Sequence, residues 1–234
     1  MVTIALAGAD GSGKTTVARR LVATSPIPMA YLYMGPNIES SNVALPWSRL
    51  FLRLKLHTYR QVAKREGITD PGFVSTHHNA HRKVRRGRLG ATLRMVNRLL
   101  EASFRQAVAT VHQRRGVVVL YDRHFLLESL TSSGRRHRRL TDRIYHWVLA
   151  TLFPAPDLVV VLDAPPEVLL ARKGEGTLDS LRRARTLLRT EAPKFARVVT
   201  VDATRPLEEV VAEVRTHVAA VGGRASAVPA GARA

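Results

Sequence analysis

Val2-Thr3-Ile4-Ala5-Leu6-Ala7-Gly8-Ala9-Asp10-Gly11-Ser12-Gly13-Lys14-Thr15-Thr16 begins with six apolar or β-branched residues and then breaks into a glycine-rich turn. Residues 8–15 match G-x-x-x-x-G-K-[ST] at every fixed position, with a strand predicted before them and a helix after. In that setting the glycines let successive backbone N–H groups curl around phosphate oxygens. The Lys14 ammonium reaches the β- and γ-phosphates, and the Thr15 hydroxyl is a magnesium ligand. A phosphate loop leaving a buried strand belongs to an α/β sandwich with a parallel sheet. Asp10, Gly11, Ser12, Gly13, Lys14, Thr15 and Thr16 are therefore the first candidate residues for ATP and Mg²⁺.

Four further short runs share the near-continuous apolar, β-branched character of a strand buried on both faces: 29–34, 117–121, 158–162 and 197–201. Helical patterns separate them. The last is the clearest: Pro206 suits a first turn, Glu208 and Glu209 favour its positive end, and Leu207, Val210, Val211, Val214 and Val218 fall on one face. The 234 residues fit one domain, expected over 1–221, with 222–234 a disordered Gly/Ala/Pro-rich tail. There is no cysteine, which excludes a disulfide framework and thiolate zinc and agrees with a cytoplasmic protein. No apolar run is long enough to span a bilayer, and residues 2–9 are too short for a signal peptide. The charge of +19 attracts polyanions, whether nucleotide, nucleic acid or an anionic membrane, or reflects arginine on solvated faces. It is concentrated in 47–115, with 16 Lys+Arg against 3 Asp+Glu.

Gly8–Thr16 resembles the phosphate loop of the thymidylate-kinase family. Asp122-Arg123-His124, at the end of the third strand, is similar to that family's Asp-Arg-aromatic/His signature. The stretches 156–168 and 201–207 resemble its fourth strand and its adenine-side loop. The resemblance implies a three-layer α/β/α sandwich with a five-stranded parallel sheet in the order 2-3-1-4-5. It implies ATP lying at the carboxyl ends of the strands, Mg²⁺, an adenine near Ala203 and Arg205, and a homodimer. It does not extend to the segment after the second strand. There the family carries an Arg-Glu-Pro-Gly-Gly type sequence that holds the acceptor phosphate, and this chain reads Tyr33-Met34-Gly35-Pro36-Asn37. Residues 35–116 are expected to form a basic helical acceptor-side region in which Arg94, Arg98 and Arg105 are the candidate acceptor-binding arginines. Kinase chemistry carries over; thymidylate as the substrate does not.

Phosphoryl transfer needs positioning and cations more than covalent chemistry. Lys14 supplies one cation. Asp122 is the candidate for holding magnesium-bound water or orienting the attacking group, and Arg123 for bridging donor and acceptor phosphates; the alternative for this pair is a structural ion pair. Asp10 touches an acceptor hydroxyl by family analogy, or stabilises the loop. Gly11 stands where some family members place an arginine, so that cation is expected from a lid over 172–189, with Arg172 favoured and Gly174 and Gly176 as hinges. A solvated arginine-rich helix is the alternative.

His77, His78 and His81 are too few for a metal site without a further ligand. The stripe Trp47, Leu50, Phe51 and Leu54 is read as core packing, with membrane contact or a substrate clamp as alternatives. Three functions stay open. One is a nucleotide or phosphometabolite kinase, another a kinase for a hydroxyl of a sugar, lipid-linked or antibiotic intermediate, and the third an ATP-gated nucleic-acid or membrane binding module.

Overall fold

A computed structural model describes residues 2–35, 38, 41–65, 88–125, 140–174, 177–195 and 197–227. In chain order the elements are β1 (Thr3–Ala7), α1 (Lys14–Thr24), β2 (Met29–Tyr33), α2 (Pro46–Arg65), α3 (Arg88–Arg114) and β3 (Val118–Asp122). There follow α4 (Leu140–Leu152), β4 (Leu158–Asp163), α5 (Pro166–Lys173), α6 (Leu178–Glu191), a 3₁₀ turn (Ala192–Lys194), β5 (Val198–Asp202) and α7 (Leu207–Ala227). All strand pairs are parallel and the order is β2-β3-β1-β4-β5, the arrangement expected from the sequence.

The alternation of side chains along each strand feeds two separate cores. Ile4, Leu6, Leu120, Val160 and Leu162 face Val17, Ala18 and Leu21 of α1 and Val210, Val211, Val214 and Val218 of α7. Ala5, Ala7, Val119, Tyr121, Val159 and Val161 face Ala102 and Ala109 of α3 and Tyr145 and Leu149 of α4. Helix α6 serves both, with Leu181 in the first core and Leu188 in the second. The apolar face read for the last helix is buried except Leu207.

Three strands end on a carboxylate at the same sheet edge: Asp122, Asp163 and Asp202. The phosphate loop leaves β1 at that edge, where Leu6 pairs with Asp122.

The stripe on α2 corrects one expectation. Trp47, Leu50, Phe51 and Leu54 are exposed, so they are not core; α2 packs instead through Ser48 and the half-buried Leu52. Helix α7 continues to Ala227, into the stretch expected as tail, and 228–234 lie outside the described residues. His77, His78, His81 and Gly176 lie outside them too. Among the described residues no group of three His, Cys, Asp or Glu is placed to hold a metal ion, and no helix is long and apolar enough to cross a membrane.

Candidate active site

The loop between β1 and α1 depends on backbone that only glycine adopts without strain. Gly11 has φ +87°, and a Cβ there would lie 2.5 Å from the carbonyl oxygen of Leu169 on α5. Any side chain at position 11 would collide with α5, so an arginine is excluded from this place by packing as well as by sequence. Gly13, at φ 84°, is left-handed and caps α1, its carbonyl accepting from Val17 N at 2.9 Å. Ser12 N donates to Ala9 O at 3.2 Å, closing the turn. Lys14 is buried, its Nζ donating to Gly8 O at 2.9 Å and Ala9 O at 2.8 Å, with Ser12 Oγ at 3.5 Å. The ammonium thus sits in the hollow of the loop. Thr16 points to solvent one residue further on.

Asp122 has no solvent exposure. Its Oδ2 accepts from the Thr15 hydroxyl at 2.6 Å and from the Tyr31 hydroxyl at 2.9 Å, while Oδ1 is buried with no hydrogen-bond partner. A buried carboxylate oxygen without a donor is costly unless a cation or water satisfies it. Together with the adjoining threonine hydroxyl, it is a donor set of the all-oxygen kind that magnesium takes. Tyr31 was not singled out from the sequence. Burial first, and then the Asp122 charge with which it is hydrogen-bonded, raise the Tyr31 phenol well above its ordinary value, so it stays a donor.

Arg123 is the sole non-glycine with positive φ among the described residues, at 57°. Backbone of this kind costs about 1–3 kcal/mol and persists where the surroundings impose it. It aims the guanidinium across the phosphate loop, where Nη2 lies 2.6 Å from Asp10 Oδ1. The Asp10 carboxyl is raised by burial but more strongly lowered by Arg123, Lys14 and Lys173, and ends below its ordinary value. The charges of three cations therefore act on this carboxylate. Lys173 is among them, whereas the sequence reading favours its neighbour Arg172. His124 is fully buried, its ring tilted against those of Tyr121 and Phe125 with centroids 5.0 and 4.3 Å away, and neither ring nitrogen has a partner. Burial lowers it to about 3, so the ring is neutral.

The loop after β5 is held from two sides. Ala203 N donates to Asp163 O at 2.8 Å, and Arg172 Nη1 donates to Ala203 O at 2.7 Å, with Nη2 at 3.5 Å from Thr204 O. Arg172 thus braces the loop after β5. Arg205 turns away to Glu213 on α7. Much of the expected lid is paired. Arg185 makes a bidentate contact with Asp163 at 2.6 and 2.7 Å, Arg189 approaches the same carboxylate at 3.3 Å, and Arg182 meets Glu167 at 3.2 Å. Asp163 carries this docking, and in the sequence it is one residue of the stretch 156–168, with no role of its own.

The three arginines expected from the sequence on an acceptor side separate. Arg105 is buried, donating to Gly35 O at 2.7 Å and Val43 O at 3.0 Å beside Glu101 at 3.4 Å; it fixes the segment after β2. Asn42 ties the same segment to β2, accepting from Tyr33 N at 3.0 Å. Arg98 lies over the Tyr145 ring at 4.0 Å and 3.8 Å from Asp142. Arg94 is exposed on the turn before it.

No family model matches the chain. Over 107 residues it is 34% identical to a protein of Archaeoglobus fulgidus described as a probable thymidylate kinase, a match covering 43% of this chain and 52% of that relative. The chain thus spans about half the length of the curated relative it matches. The likeness is to a thymidylate kinase-like protein, and the parallel sheet and its strand order are those of phosphate-loop kinases.

Proposed function

We propose that this chain is an ATP- and Mg²⁺-dependent phosphotransferase of the nucleotide-kinase type, moving the γ-phosphoryl group to a nucleotide or a related phosphorylated small molecule. The observation that carries the reading is the buried carboxylate of Asp122 hydrogen-bonded to Thr15, with its second oxygen unpartnered, under a loop centred on Lys14. A bound magnesium ion would neutralise charge on the phosphates; Thr15 and Asp122 are the residues that would hold it, directly or through water. The backbone of 10–16 and the Lys14 ammonium position the donor phosphates. Arg123 exchanges the Asp10 carboxylate for phosphate oxygens of donor and acceptor, which bind a planar guanidinium in the same forked manner. Asp10 is then free to accept from an acceptor hydroxyl. Arg172, with Ala203 and Arg205, shapes the adenine end, and a catalytic role for Arg172 requires release from the two carbonyls it holds. The cytoplasm suits such an activity, and a homodimer is the assembly the family resemblance suggests.

The placement of Arg105 favours a second acceptor class. Its guanidinium is engaged with carbonyls of the segment that replaces the family's acceptor-phosphate sequence. An unphosphorylated hydroxyl on a sugar, lipid-linked or antibiotic intermediate needs no such cation. A panel of nucleoside monophosphates, sugar phosphates and free hydroxyl acceptors, read by ADP release with Mg²⁺ and with Lys14→Ala as the blank, tests both. Release with monophosphates alone supports the first class. No acceptor-stimulated release above the blank with any compound sinks the kinase reading.

A further inference from the structure

Asp122 receives two hydrogen bonds on one oxygen and none on the other, and the second donor is not part of the phosphate loop. It is Tyr31, on the edge strand β2. Tyr31 pairs with Leu120, two places before Asp122, so the phenol ring and the carboxylate leave the sheet on one face, the face covered by α1. A phenol is long enough to close that diagonal, and the Tyr31 hydroxyl donates to Asp122 Oδ2 at 2.9 Å. Tyr33 stands directly opposite Asp122 in the register, but its hydroxyl lies against Gly35. The Tyr31 ring packs on the first core, a task that phenylalanine would perform equally well. What tyrosine adds is the oxygen, and that oxygen meets the carboxylate.

The consequence follows from the torsions of an aspartate. Its carboxyl group turns about Cβ–Cγ over a broad, two-fold range. Thr15, bonded at 2.6 Å, holds one oxygen, but it belongs to the loop end that must itself receive the ligand. A second donor on the same oxygen, carried by a strand, settles which oxygen is held. It leaves Oδ1 as the one that no protein donor reaches. Thr15 has a single hydroxyl proton, and giving it to Asp122 keeps the oxygen lone pairs for a cation. Groups that orient a metal's ligands without touching the metal change its affinity by about 10–100-fold.

We propose that Tyr31 is a positioning residue for the divalent cation that accompanies the nucleotide, acting through the Asp122 carboxylate. This rests on the reading of Thr15 and Asp122 as the residues that would hold Mg²⁺. The test is the affinity of the full chain for ADP by titration calorimetry, with and without Mg²⁺, which needs no acceptor. Tyr31→Phe removes one oxygen and keeps the ring. It is expected to bind ADP without Mg²⁺ within about twofold of wild type, and to lose about tenfold of the affinity gained from Mg²⁺, or all of a smaller gain. In the Asp122→Asn background the same substitution should change the Mg²⁺ response no further, since the ligand it orients is gone. A wild type whose ADP affinity ignores Mg²⁺ overturns the metal assignment and this inference with it. A wild-type Mg²⁺ response that Tyr31→Phe retains in full overturns this inference alone. So does an equal loss with and without Mg²⁺ accompanied by a lower Tm, which would make the hydroxyl structural. A further loss on top of Asp122→Asn would route its effect past the carboxylate, and equally overturn it.

Discussion

Replacing Asp122 by Asn separates chemistry from architecture, because the side chain has one oxygen in each role. Oδ2 accepts from Thr15 at 2.6 Å and from Tyr31 at 2.9 Å, and an asparagine carbonyl can accept both. A hydroxyl bonded to a charged acceptor is worth about 1.5–3 kcal/mol against about 1 for a neutral one. The fold therefore loses roughly 1–4 kcal/mol from the two bonds and regains a similar amount, because a buried charge is removed. Stability should move by no more than about 2 kcal/mol in either direction. At Oδ1 the effect is one-sided: an amide NH₂ replaces an anionic acceptor where no protein donor is present. Losing one preorganised electrostatic contact of this kind costs about 10²–10³ in kcat, or about 2.7–4 kcal/mol. Single-turnover ADP formation and ADP affinity with and without Mg²⁺ read both consequences. The expected result is a rate at least a hundredfold lower, ADP affinity without Mg²⁺ unchanged, and loss of the Mg²⁺-dependent gain. A rate within about threefold of wild type together with a lowered Tm would refute the assignment and leave Asp122 as a structural acceptor.

Lys14→Ala should fold normally and lose more than about a hundredfold in turnover, since its charge faces the loop hollow; near-native transfer would sink the mechanism. Arg123→Gly relieves the positive φ and should be more stable than Arg123→Ala by about 1 kcal/mol in urea unfolding, while both lose activity; equal stability would mean that the left-handed backbone is not strained. Arg172→Ala should raise KM for ATP through its hold on Ala203 and Thr204, and Lys173→Ala should lower kcat; the reverse pattern would return the lid cation to Arg172. His124 binds a proton near pH 6.5 when unfolded and at about 3 when folded, so the unfolded state takes up the proton first and stability falls as pH drops through that window. Unfolding at pH 5 should cost about 2 kcal/mol less than at pH 7.5 from this group. His124→Phe should remove that part of the slope; an unchanged slope would place the acid sensitivity elsewhere.

The opening fifteen residues determine more of this protein than any other stretch, because the phosphate-loop pattern constrains backbone, side-chain chemistry and fold at once. The five strands are legible for a related reason: each is buried on both faces, so its apolar run is nearly unbroken, and a parallel sheet follows. Their order agrees with the resemblance carried by Gly8–Thr16 and Asp122–His124. Even the strand ends are close, missing Asp122, Asp163 and Asp202 by one residue because a terminal carboxylate reads as loop.

Tertiary structure alone decided the partners of these residues. Tyr31 is one more aromatic residue in an apolar run until β2 and β3 pair and bring its hydroxyl to Asp122. Arg105 reads as a candidate acceptor-binding arginine on a basic helix; packing buries it, and burial compels it to satisfy its N–H groups on Gly35 and Val43. Arg172 and Lys173 are adjacent in sequence, yet one guanidinium turns to the β5 loop while the neighbouring ammonium bears on Asp10. On α2 the periodicity gave a true apolar stripe and the wrong side of it as buried. A hydrophobic period fixes which residues share a face, and only the position of the neighbouring layers fixes whether that face looks inward or out.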